Sequence, residues 1–424
     1  MISKSLSKIL IAVSVFLSGS CSHSTPHSEV INKSSRVADP GNFEFSKSLL
    51  LVSLDGFRPD YLTPQNTPTL WQISKEGALA ENGMLPSFPT LTFPNHYSLV
   101  TGLHPENHGI IANEMKDPDI ADRFSLGNRL VTNDPRWWIG EPIWVTAQKQ
   151  GLKSATMFWP GSEAEIHGVR PTYFVPYDQQ MPAAKRVEQF LSWLDLEASA
   201  RANFFTLYFE EVDSIGHKFG PKSPEILQAL RNVDSAMALL VQGLKDRNLW
   251  GKMNLIVSSD HGMVEIENQK RIDLQEIFKI FPNVETIGGG ALMGAFSKNI
   301  KELAALKANL KNASPHIDVY LKNEIPSHFH YQKSARIPDL LIVAKEGAYI
   351  QMKPVIASAG GTHGYDHRLK SMRALFLAHG PAFQQSLFKN EFSNRDVYPL
   401  MCKILQIKAQ KHDGILKNID SILR

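Results

Sequence analysis

Four short stretches of this 424-residue chain put carboxylates and imidazoles where apolar runs give way to loops. "NLIVSSDHGM" (254–263) is a β-branched run that finishes on adjacent Asp260 and His261, with Gly262 directly behind to turn the chain clear. "YFEEVDSIGHKFGP" (208–221) sets Asp213 and His217 four apart, and "SLLLVSLDGF" (48–57) ends on Asp55 and Gly56. "GGTHGYDH" (360–367) adds His363 among small residues. Singly, each has an ordinary explanation: Asp-Gly is a turn signal, and an i,i+4 Asp/His pair is a helix surface contact. Jointly they supply oxygen and imidazole nitrogen donors of a kind that suits zinc, and also manganese or iron. Three aspartates and three histidines exceed the needs of one catalytic zinc and would serve two metals sharing a site.

Such residues act together only if their strands lie side by side, since ligands of an open parallel sheet bind beyond the carboxyl ends of its strands. The apolar runs predict strands within 48–57 and at 153–159, 203–210, 254–258, 339–344 and 373–379. Amphipathic helices are predicted over 183–200 and 223–247. A further helix is predicted within 66–77, with Thr67 as N-cap, Pro68 in the first turn and Gly77 as stop. This alternation predicts an α/β fold built on a parallel sheet. The stretch from about 264 to 355 is less regular and reads as a smaller inserted capping subdomain, within which Gly288–Gly290 reads as a loop bend. There is no internal repeat, Walker loop or GxGxxG.

The front of the chain reads differently. Lys4 and Lys8 precede an apolar run, Ile9 to Leu17, that is too short to span a bilayer but fits a secretory signal over residues 1–20. Cys21 stands where a bacterial lipoprotein carries its lipid, with plain cleavage after Ser20 as the competing reading. Export is expected either way: periplasmic, membrane-anchored through Cys21, or secreted. Residues 21–46, rich in Ser, His, Pro and Asn, read as a flexible spacer, leaving 47–424 as the catalytic domain. Cleavage would lower the formal charge from +3 to +1, which offers no driving force for binding a nucleic-acid backbone. Cys402 is the only other cysteine, so no disulfide scaffold is expected.

A site for two metals wants a nucleophile, and "PTLTFPNHYSLVTGLHPENHGIIANEM" (89–115) offers one. This stretch, with "DGFRPDYL", "DSIGHKFGP", "SSDHGM" and "THGYD", resembles the nucleotide pyrophosphatase/phosphodiesterase family of the alkaline phosphatase superfamily. The blocks follow family order from about Leu50 to Leu405. "RWWIGEPIW" (136–144) and "FWPGSEA" (158–164) resemble its compact bacterial members. The resemblance implies an alkaline-phosphatase-like α/β core, a mostly parallel sheet sandwiched by helices, holding two Zn2+ ions.

By the same resemblance Thr92 is the nucleophile and Thr90 its idle neighbour. Thr92, Asp55, Asp260 and His261 would hold one zinc, and Asp213, His217 and His363 the other. Asn113 would bind a nonbridging phosphate oxygen, and Phe93 and Tyr177 would stack a base. The implied substrate is a small nucleotide phosphodiester or pyrophosphate, cleaved through a phosphothreonine to release a nucleoside 5′-monophosphate. His96, His104 and His108 are expected to support the ligands from behind or to pack loops, His316, His328 and His330 to lie at the surface, and Trp159 to line the cleft.

Related chemistries share the metal site. No Cys- or Ser-x-Pro-x-Arg motif appears, which argues against a sulfatase. Residues 155–170 hold no close Lys-x-Arg pair to meet the second charge of a phosphate monoester. A choline-phospholipid diesterase stays open, because Phe93 alone does not separate it from a nucleotide enzyme. An exported binding protein without catalysis fits poorly with every metal-site position filled.

Overall fold

Alternation along the strand Leu49–Leu54 decides the layering. Leu49 and Leu51 enter one apolar core, while Leu50, Val52 and Leu54 enter another on the opposite face. Asn254–Ser258 and Phe204–Phe209 divide in the same way: Ile256 and Phe204 go to the first core, Leu255, Val257, Phe205 and Leu207 to the second. A strand apolar on both faces must be covered on both faces, as in doubly wound α/β proteins. The computed structural model describes residues 43–354 and 358–424. The export signal, Cys21 and most of the expected spacer lie outside the described residues.

The central sheet has eight strands. Its order is Ser386–Phe388, Ala78–Ala80, Phe376–His379, Asn254–Ser258, Leu49–Leu54, Phe204–Phe209, Ser154–Met157 and Tyr173–Val175. The five from Asn254–Ser258 to Tyr173–Val175 are mutually parallel, and Phe376–His379 runs antiparallel to both of its neighbours. Helices Pro68–Glu76, Ala183–Leu194 and Pro224–Asp246 cover one face, and Thr92–Thr101, Ile143–Lys149 and Val397–Leu405 the other. The mostly parallel sheet between helices is the expected one.

Leu340–Ala344 departs from expectation. It joins a separate four-stranded antiparallel sheet with Leu292–Phe296, Ile317–Leu321 and Glu285–Gly289, lying wholly within 264–355. A fully buried apolar strand reads the same in either sheet, so its run of five cannot name its partners. Gly288 and Gly289 are likewise strand residues paired with Met293 and Leu292, and Gly290, just beyond the strand, exchanges two backbone hydrogen bonds with Ile350. Residues 43–46, spacer by composition, pack on the body: Phe43 meets the ring of buried Phe45 edge-on, and Arg201 lies over both rings.

Helix Pro68–Glu76 begins where expected but is not capped by Thr67, whose hydroxyl instead donates to the Tyr61 and Thr63 carbonyls. The free N–H groups of Thr69 and Leu70 are met by the buried carboxylate of Asp234, at 3.0 and 2.9 Å, from the long helix 164 residues downstream. This bond ties two helices of one layer together. Asp234→Ala is therefore expected to lower unfolding stability by about 1–2 kcal/mol, read from the urea midpoint; an unchanged midpoint would show that the cap is replaced locally.

Candidate active site

Asn254–Ser258, Leu49–Leu54 and Phe204–Phe209 are adjacent in the sheet and parallel, so their carboxyl ends emerge together. Asp55 is the first residue after its strand, Asp260 follows Ser258 by two, and Asp213 sits on helix Glu211–Phe219 just beyond Phe209. His217 lies one turn further along that helix, and His363 arrives from the segment after the second sheet. Asp55, Asp260 and His261 place ligand atoms within 4.8 Å of one another, and so do Asp213, His217 and His363. All six residues named from the sequence are brought together.

Local sterics explain two glycines here. Gly56 has φ +65°, and a Cβ there would meet the Cα and Oδ1 of Asp213 at 3.1 and 3.2 Å. Gly262 has no left-handed backbone; its need is space, because a Cβ would lie 2.0 Å from the Ser371 carbonyl oxygen. It lets a neighbouring loop close over His261 rather than turning the chain away.

The histidines' tautomers follow from their backbone partners. His261 Nδ1 lies 2.9 Å from the Gly262 carbonyl, His217 Nδ1 3.0 Å from that of Gly361, and His363 Nδ1 2.7 Å from that of Thr90. A carbonyl only accepts, so each Nδ1 carries a proton and donates. That turns the Nε2 lone pairs inward: those of His217 and His363 are 3.0 Å apart. The His261 and His363 rings stack at 3.6 Å. Two lone pairs at that separation repel unless a cation lies between or beside them.

The carboxylates tell the same story. Asp55 Oδ2 accepts from the Tyr208 hydroxyl at 2.6 Å, and Asp260 Oδ1 from the Gly56 N–H at 3.2 Å. Their other oxygens, and Asp213 Oδ1, are buried without a hydrogen-bond partner among the described residues. His261 Nε2 approaches Asp260 Oδ2 to 2.9 Å and Asp55 Oδ1 to 3.6 Å, and His363 Nε2 approaches Asp213 Oδ1 to 3.6 Å. These atoms point at shared centres rather than at one another.

Burial, with Asp260 and Asp213 close by, pushes the Asp55 carboxyl well above its usual range. Burial also acts to raise Asp260, but His261 and His96 outweigh it and hold that carboxyl low. His261 is raised: burial opposes its charge, and the Asp260 carboxylate prevails. A pocket so rich in carboxylate draws positive charge, as a proton or as a metal ion. Orphaned oxygens facing inward lone pairs fit divalent metal binding, with second-layer partners that fix ligand orientation.

Thr92 opens helix Thr92–Thr101, and its Oγ1 lies 3.4 Å from His261 Nε2. Thr90 does not compete: its fully buried hydroxyl accepts from the Gly364 N–H at 2.9 Å and faces the Tyr365 carbonyl and Met372 sulfur. Asn113 Oδ1 accepts the Phe93 N–H at 3.0 Å, which turns its amide NH2 away from the helix as a donor. Phe93 packs against Phe124 and Trp138. Tyr177 packs against Phe158 and Tyr208, so the two rings belong to separate aromatic groups around the site.

One supporting residue is not visible in the sequence. Tyr208 looks like one more apolar residue of a buried strand, yet its hydroxyl orients Asp55. His96 was expected to support the ligands from behind or to pack a loop, and it does the former: its Nδ1 donates to the Thr92 carbonyl at 2.8 Å, 3.4 Å from Asp260 Oδ2, while Nε2 accepts from Ser53 at 2.8 Å. His108 Nδ1 accepts the Ile110 N–H at 3.2 Å, so its Nε2 carries the proton and donates to Ser98 Oγ at 3.0 Å within the same helical layer. His104 stacks on exposed His330 at 3.8 Å, apart from the metal-ligand clusters. His316 and His328 are half-buried. Trp159 is a correction: it is 1% exposed behind His96 and donates to its carbonyl, so it does not line the cleft. Among the described residues Cys402 is buried and unpaired, and no helix is long and apolar enough to cross a membrane.

Residues 49–366 match the model of the type I phosphodiesterase/nucleotide pyrophosphatase family. A venom phosphodiesterase of Crotalus durissus collilineatus is 41% identical over 397 residues, covering 91% of this chain and 47% of its own. The bis(5′-adenosyl)-triphosphatase enpp4 of Xenopus laevis is 40% identical, covering 91% of this chain and 83% of its own. This chain thus spans about half the length of the venom enzyme and most of the amphibian one. An inactive form of murine ectonucleotide pyrophosphatase/phosphodiesterase 5, solved with AMP, superposes with a TM-score of 0.84 at 37% identity, over 89% of this chain and 100% of its own. With the match running through every strand that carries a candidate ligand, the chain belongs to the type I phosphodiesterase/nucleotide pyrophosphatase family.

Proposed function

We propose that the protein is an exported, two-zinc phosphodiesterase/pyrophosphatase that cleaves nucleotide substrates through a phosphothreonine and releases a nucleoside 5′-monophosphate. The observation that carries this is the convergence of inward Nε2 lone pairs and unpartnered carboxylate oxygens on two centres beside Thr92. Asp55, Asp260, His261 and Thr92 would hold one zinc, and Asp213, His217 and His363 the other. Bound there, the metals would supply Lewis acidity and lower the pKa of oxygen nucleophiles.

The chain's own residues do the rest. Thr92 Oγ1 attacks phosphorus, the bond to the leaving oxygen breaks, and water later opens the Thr92–phosphorus bond. Helix Thr92–Thr101 fixes the nucleophile, and His96 holds its carbonyl while facing Asp260. Asn113, oriented by the Phe93 N–H, donates to a nonbridging oxygen. Asn113→Ala is expected to lower kcat by about 10²- to 10³-fold, the scale of one oxyanion donor; an unaffected rate would remove Asn113 from the site.

For the substrate, Phe93 and Tyr177 belong to separate aromatic groups, and the relatives include a bis(5′-adenosyl)-triphosphatase and an AMP complex. Stacking of a base tolerates any base and contributes roughly 1–3 kcal/mol. Phe93→Ala should accordingly weaken kcat/KM for a nitrophenyl ester of thymidine monophosphate by about 5- to 150-fold, with little effect on methyl nitrophenyl phosphate. Equal losses on both would mean that Phe93 only supports the nucleophile helix. The wild-type protein, tested beside nitrophenyl phosphate and nitrophenyl phosphocholine, should prefer the nucleotide ester; preference for phosphocholine would move the enzyme to choline phospholipids.

A further inference from the structure

Asn113 stands between helix Pro105–His108 and strand Glu114–Asp117, on a stretch of chain that also needs holding in place. Two bonds are local to it: Oδ1 accepts the Phe93 N–H, and its carbonyl accepts the Leu126 N–H at 3.1 Å. The remaining supports come from a segment about 220 residues downstream. Tyr331 donates its hydroxyl to the Ile111 carbonyl at 3.1 Å, two residues before Asn113. Arg336 donates from Nη1 to the Gly109 carbonyl at 2.8 Å, four residues before, and from Nε to Asp117 Oδ2 at 2.5 Å, four residues after. The arc 109–117 is thus pinned at both ends and near its middle, with Asn113 at its centre.

Arg336 is built into this place. It is 3% exposed, and its guanidinium carbon lies 5.1 Å from the Trp137 ring centroid. Nη1 also donates to the Trp137 carbonyl at 2.6 Å, and Nη2 to that of Arg136 at 3.0 Å. Four of its five N–H groups are therefore committed to protein. Tyr331 and Arg336 both line a cavity of about 870 Å³ that opens beside Asn113 and His217, yet their polar atoms turn toward the loop. The approach is close: a Cβ at Gly109 would stand 2.7 Å from Nη1. A planar guanidinium is one rigid fork, so it fixes the Gly109 carbonyl and Asp117 relative to each other, which a lysine ammonium cannot do.

We propose that Arg336, seconded by Tyr331, is a positioning residue for the reaction. It sets the arc so that the Asn113 amide stands ready for the nonbridging oxygen before substrate arrives. A donor to developing negative charge is effective only when it is already in place, and a displacement of about 1 Å can slow a reaction about a hundredfold. This inference rests on the reading of Asn113 as that donor. Because Arg336 acts through Asn113, its effect belongs in kcat and not in KM or in metal content.

The test is a double-mutant cycle on the nitrophenyl ester of thymidine monophosphate. Arg336→Lys should lower kcat by about 10- to 100-fold with KM held within about twofold. Tyr331→Phe, which removes one hydrogen bond, should lower kcat by about 2- to 10-fold. Zinc content should match the wild type in both. On an Asn113→Ala background each substitution should lower kcat by less than about a further twofold, since the group it positions is gone. Losses that multiply in full on that background would overturn the inference while leaving Asn113 as the donor. An Asn113→Ala protein at full rate would overturn both. If thermal melting shows that Arg336→Lys does not fold, Tyr331→Phe decides the matter by the same cycle.

Discussion

Thr92→Ala is expected to fold, to bind metal and to turn over no phosphodiester above about 10⁻⁴ of the wild-type rate, the scale of losing a nucleophile that acts in concert with its neighbours. The lost oxygen is the one 3.4 Å from His261 Nε2 at the start of helix Thr92–Thr101. No other donor depends on it: Asp55 is oriented by Tyr208, Asp260 by the Gly56 N–H, and the histidines by backbone carbonyls. Rapid quench with a phosphorus-labelled nucleotide should trap phosphothreonine in the wild type and none in the variant. Thr90→Ala gives the contrast. Its hydroxyl serves the Gly364 N–H inside the core, so its removal should cost about 1–3 kcal/mol of stability while most activity remains. A folded Thr90→Ala protein without activity, beside an active Thr92→Ala, would reassign the nucleophile.

Removal of metal should have an effect of comparable size. Dialysis against a strong chelator is expected to abolish turnover, and zinc to restore it, with elemental analysis giving two equivalents per chain. Stability supplies an independent reading. Without a cation, the Nε2 lone pairs of His217 and His363 face each other at 3.0 Å, and burial with Asp260 and Asp213 close by pushes the Asp55 carboxyl well above its usual range. Metal that binds the folded chain stabilises it by mass action, by about 4 kcal/mol at a thousand times its Kd. The Tm should therefore rise with added zinc, and full activity in protein shown to be metal-free would end the two-zinc reading.

How the site was legible, and how far, follows from the range of each signal. Asp260-His261 at the end of an apolar run, and Asp213 four before His217, are local patterns, because strand ends and helix turns are properties of a few consecutive residues. The donors and the α/β class could therefore be read directly. Tyr208 could not, since a tyrosine in a buried strand looks the same whether its hydroxyl is idle or, as here, 2.6 Å from Asp55. Asp234 was equally hidden: its role as the cap of a helix 164 residues upstream exists only once the two helices pack.

By itself, then, the sequence determined the chemical inventory: three aspartates, three histidines and a threonine, placed where strands end and helices begin. Tertiary structure decided the rest. It set Leu49–Leu54 between Asn254–Ser258 and Phe204–Phe209, which brings three strand ends to one place. It aimed the imidazoles, because the carbonyls of Thr90 and Gly361 that hold Nδ1 come from distant or differently folded segments. It moved Leu340–Ala344 into a second sheet and opened a cavity between that sheet and His217. The physical reason is one of range: periodicity and turn chemistry are encoded within a dozen residues, whereas tautomer, orientation and cavity depend on partners that only folding brings near.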